Sequence, residues 1–183
     1  MKNRIVMVAA AVLALGSLAT ACTPTRTVKS AGEQIDDSAV TGKVKTALAR
    51  DPATSAFKIE VETFRGEVQL NGFVDTADMK SAATRVARSV NGVKTVSNNL
   101  KVGPGSRTAG EVVDDSVITV KVKSALAADP VVAAHQVNVE TRDGVVQLAG
   151  FVDNADQKSQ ATELTRRVAG VKQVDNQLEV KQR

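Results

Sequence analysis

Residues Asp36 to Val102 are followed, 78 positions later and without a gap, by a second copy of themselves from Asp114 to Val180. About 39 of the 67 aligned positions are identical. A repeat of this quality constrains the fold more than any local signal, because whatever one copy forms the other must form too. The period is too long for one solenoid unit and suits a small domain. The expectation is two compact modules, 35–102 and 113–183, separated by a linker at 103–112 that opens Gly103-Pro104-Gly105-Ser106.

Within a module the apolar spacing predicts helix, strand, strand, helix, strand. Asp36-Asp37-Ser38 offers capping groups ahead of Val40, Val44, Ala47 and Leu48, one face of a helix that Asp51-Pro52 ends. The second copy repeats this with Ile118, Val122, Ala125, Leu126 and Asp129-Pro130. Ile59/Val61/Thr63 and Val68/Leu70/Gly72/Val74 alternate with polar residues, as half-buried strands do, and Arg65-Gly66 or Asp143-Gly144 forms the hairpin turn. A second helix over Thr76 to Ser89 turns Ala83, Val86, Ala87 and Val90 inward and stops before Asn91-Gly92. Val93, Val96, Asn98, Leu100 and Val102 make the last strand. The fold class is α+β: two tandem αββαβ modules, each a three-stranded sheet with two helices on one face.

Residues 1–21 read as a signal peptide, with Lys2 and Arg4 ahead of an apolar run too short to span a bilayer. Leu18-Ala19-Thr20-Ala21-Cys22 resembles a bacterial lipobox, which makes Cys22 the lipid attachment site and 22–34 a tether. Ordinary cleavage after Ala19-Thr20-Ala21, leaving a free thiol, is the alternative. Cys22 is the one cysteine, so the chain has no internal disulfide.

Val68-x-Leu70-x-Gly72-x-Val74-Asp75 and Gly92-Val93-x-x-Val96-x-Asn98-x-Leu100 resemble the BON domain. They recur as Val146, Leu148, Gly150, Val152, Asp153 and Gly170, Val171, Val174, Asn176, Leu178. Two such domains behind a lipobox are similar to the dual-BON outer-membrane lipoproteins of Gram-negative bacteria. That resemblance implies a non-enzymatic protein on the periplasmic face of the outer membrane, associated with anionic phospholipid and supporting outer-membrane integrity. A soluble, osmotically induced periplasmic relative, or a holdase-type chaperone, is the alternative it leaves open.

The composition argues the same way by exclusion. A formal charge of +4 loses Lys2 and Arg4 with the signal, and no Trp or Tyr is present to stack bases or sugars, so a nucleic-acid partner is not expected. The lone histidine, His135, replaces Phe57 of the first copy and reads as packing, so neither metal nor other cofactor nor small-molecule substrate is expected. Asp75 and Asp153, just before the second helix, read as its caps.

Two features are left over. Phe73 and Phe151 fall on the sheet face opposite the helices, which suggests an inter-module face. On the first helix of the second copy, Val117, Val120 and Ser124 point away from the core with Lys121 and Lys123 on the flanks, and Val131-Val132 follows in the loop. The first copy has Ala39, Gly42 and Ala53-Thr54 at the valine positions. β-branched residues on a solvent face cost helix propensity, so the reading is contact with an anionic membrane or an envelope protein.

Overall fold

Asp37 and Asp115 show how each module is assembled. The computed structural model describes residues 31–55, 58–103 and 108–181; the segment 1–21 and the lipidation candidate Cys22 lie outside them. Helix α1 runs Ala31–Arg50, so Asp37 stands inside it and does not cap it. Its buried carboxylate instead accepts hydrogen bonds from the backbone N–H of Arg65 (2.7 Å) and Gly66 (2.9 Å). Asp115 does the same for Asp143 (2.8 Å) and Gly144 (2.9 Å). A buried carboxylate requires donors, and the hairpin turn supplies two that have no ladder partner. The long-range bond outweighs the local capping signal.

In the first module, strands β1 (Ile59–Phe64) and β2 (Glu67–Val74) pair antiparallel, with Phe64 opposite Glu67. Arg65 and Gly66 both have positive φ, 52° and 81°, as the tightest hairpin turn demands. Helix α2 (Ala77–Arg88) crosses over and returns the chain as β3 (Thr95–Asn98) and β4 (Lys101–Val102), both parallel to β2. The last strand is thus interrupted at Asn99-Leu100, where a single strand was expected. The second module runs α3 (Ala109–Ala127), a 3-10 turn (Ala134–Gln136), β5 (Asn138–Arg142), β6 (Val145–Val152), α4 (Ala155–Arg166) and an unbroken β7 (Gln173–Val180). Strand orders are β1-β2-β3 and β5-β6-β7, so the two copies share one topology.

Helix α3 begins within the stretch read as linker. Thr108 caps it, and a reciprocal bond from its own N–H to Glu111 closes a capping box. The second helices are capped by Thr76 and Asn154, which accept from Met79 and Gln157. This corrects the assignment of Asp75 and Asp153: a cap must reach the amide three residues on, and they stand one residue too early.

Each module has its own core. Val44, Leu48, Val61, Val68, Leu70, Val74, Ala83, Ala87 and Leu100 fill the first. Val122, Leu126, Val139, Val146, Leu148, Val152, Ala161 and Leu178 fill the second. Val132 belongs to this second core, only 6% exposed, which corrects its reading as a contact residue. Its counterpart Thr54 is equally buried and donates to the Leu48 carbonyl. An apolar side chain at this position fills the space beneath the helix end, where the threonine hydroxyl needs a partner.

Candidate functional site

The faces of the two sheets that carry no helix pack on one another, and their contacts are reciprocal. Gln147 Oε1 accepts from Gly72 N–H at 2.6 Å, and Gln69 Oε1 accepts from Gly150 N–H at 3.1 Å. Both glutamines are buried, and Gln147 also donates to the Asn99 carbonyl at 2.8 Å. Buried amides lose more by being unpaired than they gain by being paired, so these bonds fix register more than they add stability. Gln69 and Gln147 were not singled out from the sequence. Their signal was a polar side chain, identical in both copies, at an outward strand position three residues before a glycine.

Phe73 and Phe151 lie in this interface. Phe151 stacks on Phe64 with ring centroids 5.3 Å apart and planes at 29°. At the equivalent place on the other side the partner is Arg142, whose guanidinium sits 5.9 Å from the Phe73 centroid and 3.3 Å from Asp75. Charge pairs frame the contact: Lys58 meets Glu140 at 2.6 Å and Lys101 meets Asp175 at 3.2 Å. The hydrogen bond to Glu140 raises Lys58 above the ordinary lysine range, against the opposing effect of its partial burial.

Glu67 and Glu179 form an unfavourable match across it. Partial burial first, and then the Glu179 carboxylate, push the Glu67 carboxyl up. A carboxyl raised in the folded state contributes stability that is complete below its unfolded pKa and lost as pH rises through the folded value. Glu67→Gln should therefore raise the urea midpoint at pH 7, and the gain should vanish below about pH 4. A lower midpoint for the variant at pH 7 would contradict this.

The outward face of α3 is a separate surface. Val117 and Val120 are exposed, Val120 by 64%, and Lys121, Lys123 and Ser124 are exposed beside them. Val131 is exposed past the helix end. The structure adds Val113, 60% exposed, one turn before Val117 on the same stripe. Sequence reading passed over it because it precedes the aligned repeat. Asp114 and Glu111 flank the start of this helix and the lysines flank its second half, so an anionic surface would meet the end around Val117, Val120 and Val131. His135 is exposed on the 3-10 turn. Among the described residues no cluster of three His, Cys, Asp or Glu side chains is arranged to hold a metal ion. Also among the described residues, no helix is long and apolar enough to cross a membrane.

Comparison with known proteins agrees with this architecture. Residues 36–104 and 114–182 each match the BON domain. The chain is 39% identical over 151 residues to osmotically-inducible protein Y of Escherichia coli, covering 82% of this chain and 75% of that one. It is 35% identical over 147 residues to outer membrane lipoprotein DolP of Haemophilus influenzae, covering 80% and 75%. A 21 kDa hemolysin of Actinobacillus pleuropneumoniae is 33% identical over 147 residues, with the same coverage. Two complete copies of the domain, in one topology and packed face to face, make this chain a tandem member of the BON domain family.

Proposed function

We propose that this is a non-enzymatic cell-envelope protein, anchored through Cys22 at the periplasmic face of the outer membrane, whose second module docks on anionic phospholipid. In this role it supports outer-membrane integrity. The observation that carries the reading is the exposed pair Val117 and Val120 with Lys121 and Lys123 beside it, where the first module has Ala39 and Gly42. Each well-buried valine contributes ~1 kcal/mol or more at the headgroup boundary, and each lysine ~1 kcal/mol against an anionic leaflet. Such binding is weak and reversible, and an acyl anchor makes it effective by holding the module near the bilayer. The similarity to an outer membrane lipoprotein supports the location. The similarity to an osmotically inducible protein favours a second reading, a soluble periplasmic stress protein without the anchor.

The test is co-sedimentation of the unlipidated chain, residues 23–183, with vesicles of phosphatidylglycerol and phosphatidylethanolamine. Binding should require the anionic lipid, and Val117→Glu with Val120→Glu should abolish it while leaving the circular dichroism spectrum intact, since both side chains point away from the core. Unchanged binding by that variant would discard the α3 assignment. Metabolic labelling with a clickable fatty acid, lost on Cys22→Ser, separates the anchored reading from the soluble one.

A further inference from the structure

The outward stripe of α3 has the spacing of a helix-pairing seam. Gly110, Val113, Val117, Val120, Ser124 and Ala127 follow one another at alternating intervals of three and four residues, and all of them are exposed. That alternation keeps one side of a helix turned to a partner helix along its length. The residues on it are small or β-branched, so two backbones can come close. Around the helix, the seam lies opposite the buried Ile118, Val122 and Leu126. The first copy has Ala39 and Gly42 in place of Val117 and Val120, so its own first helix has little at these positions to fill such a contact.

The charges beside the seam say what the partner helix is. Asp114 and Lys121 are exposed on one flank, Ser116 and Lys123 on the other. Asp114 and Lys121 stand two turns apart, about 10 Å along the axis, too far to pair with each other in one helix. When a second α3 is turned end for end about a two-fold axis between Val117 and Val120, each flank meets its own twin. Val117 then packs on the partner's Val120, and Asp114 meets the partner's Lys121 on both sides of the axis. A parallel pair instead sets Lys121 against the partner's Ser116 and Asp114 against the partner's Ala109, with no charge matched. One surface supplies both halves of the antiparallel match, as a contact between identical chains requires.

We propose that α3 of two chains pair antiparallel through this stripe, so that self-association and membrane contact compete for the same valines. The competition rests on the membrane reading of this stripe, while the pairing stands apart from it. Two helices of 19 residues bury less together than the ~1,200 Å² at which specific complexes become stable, so the pairing is weak and reversible. A membrane can displace such a partner. The valines leave each other for the headgroup boundary, and Lys121, held by the partner's Asp114 in the dimer, is freed for the anionic leaflet.

The experiment is sedimentation velocity of the unlipidated chain, residues 23–183, from micromolar to millimolar protein, with and without phosphatidylglycerol vesicles. The chain should shift from monomer to dimer across that range, and the vesicles should dissolve the dimer. Asp114→Lys sets lysine against lysine on both sides of the axis and should weaken the dimer about tenfold, while vesicle binding rises. Adding Lys121→Asp re-creates both pairs in reverse and should restore the dimer, which excludes a folding defect as the cause. The concentration series on the unchanged chain decides the matter if a variant does not fold. A chain that stays monomeric at millimolar protein, a dimer unmoved by Asp114→Lys, or a folded double variant that fails to recover would overturn the pairing and leave the membrane reading standing. A dimer that persists on the vesicles would overturn the competition. Dimerisation without any vesicle binding would discard the membrane reading, and the competition with it, and leave the pairing.

Discussion

Asp115→Ala lowers the unfolding free energy of the chain by about 3 kcal/mol, with Asp37→Ala having a similar effect on the first module. Each substitution removes a charged acceptor and leaves two backbone donors, Asp143 N–H and Gly144 N–H in the second module, without it. The turn amides are held in a left-handed conformation at φ 56° and 78°, so they cannot rotate to find ladder partners. Asp115→Asn keeps the shape and one acceptor oxygen, and should recover roughly half of the loss. For a module of this size each kcal/mol moves the melting midpoint by about 4–8 °C, so the alanine variant should melt well over ten degrees lower. Thermal unfolding of residues 23–183 measures this, together with hydrogen exchange at Gly144. A loss below about 1 kcal/mol would mean that the helix-to-hairpin bond is incidental.

Gly150→Ala should be at least as damaging, costing about 3 kcal/mol or more. Gly150 has φ +127°, and a Cβ placed there would collide with the Gln136 carbonyl oxygen, a backbone atom with no rotamer to yield. Its amide is also the donor to Gln69, so a backbone shift that relieved the clash would loosen the module interface. Gly72 is the internal control: at φ +114° its Cβ would stand 2.8 Å from the Lys58 carbonyl oxygen, a milder conflict. Urea unfolding should therefore rank Gly150→Ala below Gly72→Ala in stability, and both below the parent chain. The reverse order would mean that the close approach of the preceding segment does not set the cost.

The candidate surfaces were unevenly legible. Val117, Val120, Lys121, Lys123 and Ser124 could be placed on the outside of α3 because a helix wheel follows from spacing alone, and a core of Ile118, Val122 and Leu126 fixes its orientation. Val132 could not, because it follows Pro130, and beyond a helix end periodicity no longer says which way a side chain points. The two inward glutamines looked like solvent-facing strand positions, since alternation tells two faces apart without telling what covers the second.

What the sequence determined by itself was the module: a gapless repeat, hairpin turns at Arg65-Gly66 and Asp143-Gly144, helix ends at Asp51-Pro52 and Asp129-Pro130, and an apolar face on each element. These are local matters, governed by backbone sterics and by periods of two and 3.6 residues, and they recur in the structure as α1–β1–β2–α2–β3–β4 and α3–β5–β6–α4–β7. Only the tertiary structure decided where Asp37 and Asp115 send their carboxylates, why Gly72 and Gly150 donate to glutamines of the sister module, and how Arg142 comes to lie over Phe73. Each depends on groups about 28 to 82 residues apart whose meeting is set by how sheets and modules pack, and the energy of a buried charge or amide depends on what it meets there.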